Sequence, residues 1–560
     1  MKNIVLAAIN AKYIHSNLAI HSLRAYAVQA EEEMQAIQIR EYTINQPFAD
    51  ILKDIYKSQP GFLGLSCYIW NRSLVDSLLV EIRKILPETW IWVGGPEVTY
   101  DAVRYLEDHP AVDGVIRGEG EASLLGLLRH FQAGNPVDEL LSVPGLTLRH
   151  GEDICDTGSR ELLDMDELPF PYYDLWDFEN RIIYYESSRG CPFSCSYCLS
   201  SLDKKLRFRN LELVKKELLF FIEQKVPQVK FVDRTFNCDR QRALEIWRFL
   251  AEHDQGVTNF HFEIGADLLG SEEIACMRGM RPGLIQLEIG VQSTNPDTIR
   301  EIHRRTDLAK LRSNVEQIRQ GRNIHQHLDL IAGLPCEGYE SFTQSFDQVY
   351  RMYPQQIQLG FLKVLKGSRM ERMAESYGCV YMDREPYEVL KTKWISYEEI
   401  LALKRVEEMV EIYYNSGQFC RTLALLEGMF SSPFALYQSL GDFYEEKGYG
   451  GISHSRLHRY DVLLEFLESW GREQAGPSRE ALIEAMTVDL YSRENLKSRP
   501  AWMKGQEPWQ KSIRAYIRRE GLPKTVHIEV LSREILFFDY RYRDPLTNNV
   551  RAVSLTSLDI

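Results

Sequence analysis

The chain has 560 residues and a mass of 65.1 kDa, enough for about three domains at roughly 100 to 200 residues each. Its 44% hydrophobic and 26% charged residues lie in the ordinary globular range and exclude a disordered or fibrous chain. The formal net charge of -14, from 66 basic and 80 acidic residues, disfavours nucleic acid and acidic membranes and points to small-molecule or peptide substrates. No run approaches the about 18 uninterrupted apolar residues of a spanning helix, and the opening Met-Lys-Asn-Ile-Val-Leu-Ala-Ala-Ile-Asn lacks a signal-peptide cleavage site, so a cytoplasmic protein without a membrane partner is expected.

The first 150 residues alternate apolar runs, at 4–9, 36–43, 62–69, 90–93 and 114–116, with amphipathic stretches such as 18–28, 51–56, 74–86 and 102–106. Strands spaced by helices predict a doubly wound parallel α/β sheet, whose ligands sit in loops at the carboxyl ends of the strands. Those loops hold His15 in Tyr13-Ile-His-Ser-Asn17, the run Gly94-Gly95-Pro96-Glu97, and Gly118-Glu119-Gly120-Glu121. Their glycines and short polar residues suit close approach to a large flat ligand. A Pro-rich passage, 168–174, then reads as part of a linker over 151–180.

The second domain, 181–369, carries six predicted strands, at 182–187, 229–233, 260–266, 285–291, 327–332 and 357–364, with helical patterns between them. Six such units fall short of a closed eight-stranded barrel and predict a partial (β/α)6 barrel. From 370 to 560 the pattern becomes mainly helical, over 396–414, 423–429, 433–446 and 456–468. It ends in alternating segments at 525–531, 535–541 and 550–555, a small antiparallel meander.

Seven of the ten cysteines are scattered singly, and a disulfide framework is not expected in a reducing compartment. The other three are Cys191, Cys195 and Cys198, in Arg189-Gly-Cys-Pro-Phe-Ser-Cys-Ser-Tyr-Cys198, directly after the first barrel strand, where barrel enzymes place their chemistry. A structural zinc site commonly takes four ligands, and no histidine falls between His150 and His253. Three thiolates can instead hold three irons of a [4Fe-4S] cluster and leave the fourth iron open for an exogenous ligand.

In these cysteines, in Tyr197 before the third of them, and in the barrel-like pattern that follows, the sequence resembles the radical S-adenosylmethionine (radical SAM) superfamily. The resemblance implies that the cluster's open iron chelates the amino and carboxylate groups of S-adenosylmethionine, with Tyr197 near the adenine or simply in the core. Where many members carry Gly-Gly-Glu, this chain has Phe231-Val-Asp-Arg-Thr-Phe-Asn237, so Asp233 and Asn237 are weaker candidates for the methionine amino group. Gln292 and Ser293 stand in the region that contacts the ribose, and Gly333 on the strand beside adenine, or at an ordinary strand end.

A doubly wound domain in front of such a barrel resembles the cobalamin-binding class of the superfamily. This implies cobalamin across the sheet's carboxyl edge, with Gly94, Gly95, Glu97, Gly118 and Gly120 around it. His15 is either a further contact or an ordinary loop residue, and Ser16 a possible N-cap. No Asp-x-His-x-x-Gly motif is present, so no axial histidine is expected from it. The C-terminal region resembles the uncharacterised extension found in a subset of these proteins, and no catalytic residue is assigned.

The reading that follows is a cobalamin-dependent radical SAM methyltransferase that cleaves S-adenosylmethionine to a 5'-deoxyadenosyl radical and methylates an unactivated carbon. A reducing electron donor such as flavodoxin or ferredoxin is implied. Two alternatives stay open: a radical SAM cyclase or rearrangement enzyme that transfers no methyl group or uses no cobalamin, and a non-catalytic iron-sulfur or zinc module.

Overall fold

Strand β1 (Ile4–Asn10) is buried along its whole length because it is covered on both sides. Ile4, Leu6 and Ala8 enter one core with Ile20 and Ala27 of helix Leu18–Ala30 and Leu124, Leu127 and Leu128 of helix Glu121–Ala133. Val5, Ala7 and Ile9 enter the other, with Ile51 and Ile55 of helix Phe48–Ser58 and Val75, Leu78, Leu79 and Ile82 of helix Arg72–Ile85. The two-residue period of a strand and the i, i+3, i+4, i+7 period of a helix thus build the two layers of a doubly wound domain.

The computed structural model describes residues 3–470 and 478–556. These fall into two units, Met1–Gly279 with Arg300–Thr306 and Phe361–Lys393, and Met280–Ile299 with Asp307–Gly360 and Trp394–Ile560.

In the first unit β1 pairs in parallel with β2 (Gln38–Thr43) and β3 (Phe62–Ser66), followed by β4 (Trp90–Gly94) and β5 (Gly114–Ile116). Beyond β5 the sheet gains two antiparallel edge strands, β6 (Leu146–His150) and β7 (Asp153–Asp156), giving the order β2-β1-β3-β4-β5-β6-β7. The expected sheet is therefore extended, and β7 lies inside the stretch read as linker. It carries no buried residue, so it lacks the apolar run that marks the other strands. The same unit holds the first barrel strands, β8 (Ile183–Tyr185), β9 (Gln228–Phe231) and β10 (Asn259–Ile264), paired in parallel in that order.

In the second unit β11 (Ile285–Gln292) and β12 (His325–Ala332) pair in parallel, with β13 (Gln356–Phe361) beside β12. Helices follow, at Tyr397–Met409, continued by a π-helical turn at Val410–Asn415, then Cys420–Leu426, Pro433–Lys447 and Arg456–Trp470. Two further helices, Arg479–Arg493 and Gln510–Arg519, escaped the sequence reading. The final meander is as expected: β14 (Val526–Val530), β15 (Ile535–Arg543) and β16 (Val550–Leu555), all antiparallel.

Candidate functional site

The cysteine loop begins where β8 runs out. Ser188 and Arg189 pair antiparallel with Phe208 and Arg207, which closes the loop at its base. Gly190 has φ +90°, and a Cβ there would lie 2.6 Å from the Lys205 carbonyl oxygen, so only glycine makes the turn into Cys191. Cys191 N donates to Asp203 O at 3.0 Å, and Cys198 N to Cys195 O at 3.2 Å. Cys191 and Cys195 are buried and Cys198 half-buried, all three as free thiols. Burial pushes the Cys191 thiol up, and the neighbouring Cys198 and Cys195 add to it. Arg304 Nη1 lies 3.9 Å from Cys195 Sγ. Among the described residues no three His, Cys, Asp or Glu side chains are drawn together as ligands of one ion would be. The fit to a cluster therefore rests on the donor chemistry: three soft thiols on one closed loop, with a cation beside one of them.

Asp233, just past β9, is buried beneath this loop. Its Oδ1 accepts from Ser187 N at 2.8 Å, and its Oδ2 from Ser187 Oγ at 2.7 Å and Ser188 Oγ at 2.6 Å. Burial nonetheless raises its pKa. Both carboxylate oxygens are thus engaged in holding the strand that leads into the cysteines. Asn237 is likewise engaged, accepting from Gly265 N at 2.9 Å and donating to Gly265 O at 2.8 Å. Tyr197 is half-buried, and burial raises its pKa, with the nearby Arg304 pulling the other way.

A cavity of about 800 Å³ opens at the carboxyl edge of the N-terminal sheet. His15, Gly94, Gly95, Gly118 and Gly120 line it, and so do Tyr184, Glu186, Ser188, Arg189 and Gly190 from the approach to the cysteine loop. Gly95 has φ +117°, and a Cβ would meet Cys67 O at 2.4 Å. His15 Nδ1 lies 2.7 Å from Tyr184 Oη, and burial, aided by Lys12 and Lys230, lowers the imidazole pKa. Ser16 is not the helix cap. Its Oγ donates to Ile182 O at 2.9 Å, while Asn17 Oδ1 accepts from Ile20 N at 3.2 Å and caps the helix.

Glu97 departs from expectation, since it does not line the cavity. It turns inward, where its Oε2 accepts from Tyr387 Oη at 2.7 Å and burial pushes its pKa up. In its place the cavity has a charge cluster that the sequence reading missed. Arg189 donates to Glu121 at 2.6 Å and Glu186 at 2.8 Å and lies 3.2 Å from Glu119, which also pairs with Arg207. Burial opposes the charge on Arg189, and the three carboxylates outweigh it, so its pKa is held well above the usual value. The signal was in the sequence as opposite charges flanking two glycine turns, Arg189-Gly190 and Gly118-Glu-Gly-Glu121.

In the second unit Gln292, Ser293 and Gly333 come together at the carboxyl ends of β11 and β12. Gln292 has φ +72° and its buried Oε1 has no hydrogen-bond partner. Ser293 Oγ donates to Glu337 Oε1 at 2.7 Å, Ser345 Oγ donates to the same oxygen at 2.9 Å, and Glu337 Oε2 has no partner. Burial lifts the Glu337 carboxyl to about 7 against the pull of the two hydroxyls.

Residues 4–128 match the family model described as the B12 binding domain, and residues 185–349 that of the radical SAM superfamily. The chain thus carries a radical SAM domain with a B12-binding domain in front of it. Residues 375–540 match a third model, a protein family of unknown function called DUF4080. The chain is 27% identical over 348 residues to the cobalamin-dependent radical SAM methyltransferase TokK of Streptomyces tokunonensis, covering 57% of this chain and 49% of that protein. It is 22% identical over 331 residues to the anaerobic magnesium-protoporphyrin IX monomethyl ester cyclase of Cereibacter sphaeroides, covering 56% and 52%. The chain thus spans about half the length of these curated relatives. Among solved structures, the cobalamin-dependent S-adenosylmethionine radical enzyme OxsB aligns at TM-score 0.59 and 15% identity over 93% of this chain and 82% of its own. The radical S-adenosylmethionine methyltransferase TsrM of Kitasatospora setae aligns at 0.54 and 15% over 68% and 76%. These two share the fold.

A radical SAM domain implies a [4Fe-4S] cluster with S-adenosylmethionine, and a B12-binding domain implies cobalamin. The residues present fit both groups: three free thiols on a closed loop for the cluster, and a glycine-lined cavity at the sheet's carboxyl edge for the corrin.

Proposed function

We propose that this protein is a cobalamin-dependent radical SAM enzyme that methylates an unactivated carbon of a small molecule or peptide. One observation carries the reading: the loops of the B12-binding domain and the approach to the cysteine loop line a single cavity. When bound, the reduced cluster with S-adenosylmethionine supplies a 5'-deoxyadenosyl radical and cobalamin supplies the methyl group.

The chain's part is to hold these groups and exclude water. Cys191, Cys195 and Cys198 are the proposed cluster ligands, with Tyr197, Gln292, Ser293 and Gly333 around S-adenosylmethionine. Asp233 acts from beneath, by fixing Ser187 and Ser188. Gly94, Gly95, Gly118, Gly120 and His15 surround cobalamin, and Glu97 supports that loop from behind. The domains run 1–150 for cobalamin, 151–180 as a linker, 181–369 for the radical chemistry and 370–560 for a helical and β extension to which no role is given. Ten free cysteines suit a reducing compartment, and among the described residues no helix is long and apolar enough to cross a membrane. The free cysteines are in keeping with a cytoplasmic enzyme, and the radical SAM domain calls for a reductant such as flavodoxin or ferredoxin.

The test is incubation of the cobalamin-loaded, reduced protein with methyl-labelled S-adenosylmethionine in the absence of oxygen. The reading expects 5'-deoxyadenosine together with label in the cobalamin fraction. Cleavage without label transfer would favour cyclase-type chemistry, which the similarity to the protoporphyrin ester cyclase keeps in view. No cleavage would end both readings.

A further inference from the structure

Residues 361–393 join the last barrel strand to the C-terminal helices, yet they belong to the same unit as the B12-type sheet and the cysteine loop. The segment holds a short helix, Arg369–Met373, and two short strands, Val380–Tyr381 and Val389–Lys391. On one side it grips the B12-binding domain. Tyr387 Oη donates to the buried Glu97 at 2.7 Å, Lys366 Nζ meets Asp101 at 3.1 Å, and Glu385 accepts from Ser73 N at 2.6 Å. Gly367 lies so close to the Tyr100 ring that a Cβ would come within 2.4 Å of it. On the other side it grips the cysteine loop. Met370 N donates at 2.8 Å to the carbonyl of Ser196, the residue after Cys195. Ser196 N donates in turn to Ile302 O at 2.9 Å, and Tyr377 Oη to Glu301 at 2.7 Å on the same 300–306 segment.

We propose that residues 361–393 are a strap that fixes the Gly94–Glu97 loop and the cysteine loop in one geometry, with Tyr387 the positioning residue for the first and Tyr377 for the second. Both tyrosines fall within the match to the family of unknown function, which begins at residue 375, so the strap gives the opening of that region a role. Glu97 follows Gly95 by two residues, and its buried carboxylate depends on a hydroxyl from the strap for its hydrogen bond. Removing that donor leaves a buried acceptor unsatisfied and releases the loop that faces the cavity. Reaction between two bound groups tolerates little misplacement, and side chains that lock a loop from behind supply that precision.

The functional meaning of the strap rests on the cobalamin reading above, so the test measures the two separately. Tyr387→Phe and Tyr377→Phe are compared with wild type as full chains with the cluster reconstituted without oxygen. Hydroxocobalamin titration reads the B12 loop, electron paramagnetic resonance of the reduced cluster reads the cysteine loop, and hydrogen exchange reads amides 95–101 directly. Tyr387→Phe is expected to weaken hydroxocobalamin binding about tenfold and to speed exchange at 95–101, with the cluster spectrum unchanged. Tyr377→Phe is expected to alter the cluster spectrum and leave the titration unchanged. Leu403→Ala, a core truncation in the C-terminal helices, should lower Tm while changing neither readout. Wild-type titration and exchange in Tyr387→Phe, or the same losses in Leu403→Ala, overturn the strap. If wild type takes up no hydroxocobalamin, the cobalamin reading fails, and exchange at 95–101 still decides the strap.

Discussion

At Arg189 a single guanidinium, 14% exposed, faces Glu186, Glu119 and Glu121 one residue before the turn into the cysteines. Removing one partner of a buried charge cluster strands the others, at a cost of about 3–5 kcal/mol. Arg189→Met should therefore lower the stability of the first unit by that order in chemical denaturation. Arg189→Lys should recover only part of it, because a point charge cannot replace a planar fork; full recovery would show that charge alone matters. Cys191→Ala, Cys195→Ala and Cys198→Ala should each abolish S-adenosylmethionine cleavage, and substantial residual cleavage would remove that cysteine from the ligand set. Glu337 gives a pH signature. Its carboxyl is lifted from the ordinary value near 4.5 to about 7, so between those values the folded chain holds a proton that the unfolded chain has lost. Stability then falls as pH rises through that window and is flat above it. Glu337→Gln should flatten the decline of Tm between pH 5 and 7; a slope parallel to wild type would place the ionised form in the fold throughout. At this scale the cysteines and the loop glycines were legible, because their chemistry is local. Tyr184 and Arg189 were not, because the partners that place them at the cavity lie far off in sequence: His15 is 169 residues from Tyr184 and Glu121 is 68 from Arg189.

The elements that carry the site are loops at strand ends, and two of them turn on a single glycine. Gly95→Ala and Gly190→Ala each place a Cβ against a backbone carbonyl, at 2.4 Å and 2.6 Å, at a positive φ. Neither clash can be relieved by a side-chain rotation, so the loop itself must move, at roughly 1–3 kcal/mol. Gly95→Ala should lose cobalamin and keep iron, whereas Gly190→Ala should lose iron and keep cobalamin. Iron and corrin contents measured on the same purified samples check both, and equal loss of the two groups in either variant would contradict the separate cradles. The elements themselves were largely readable. Apart from β2, where only Tyr42 is buried, the runs that predicted five parallel strands and six barrel strands are buried on one or both faces, which is what makes a strand visible in sequence. Strand β7 was hidden because it is four residues long at a sheet edge, with only Ile154 and Cys155 half-buried between the exposed Asp153 and Asp156. Helix Gln510–Arg519 was hidden because its apolar side is only Ile513, Tyr516 and Ile517, partly buried against β14, beneath a basic outer face of Lys511, Arg514 and Arg518.

For the whole molecule, the acidic balance and the order of the matched domains, B12-binding before radical SAM, frame the proposed chemistry. A B12-binding domain alone or a cysteine loop alone has many uses; the proposed methyl transfer rests on their joint lining of one cavity. A cluster held by Cys191, Cys195 and Cys198 alone would be open to oxygen, so activity should be lost in air and regained only after cluster reconstitution. The most direct measurement is the visible absorption spectrum of protein produced without oxygen in cells fed cobalamin, after cluster reconstitution and gel filtration. The account predicts stoichiometric cobalamin bands over the broad iron-sulfur absorbance; cluster absorbance with no cobalamin would contradict it.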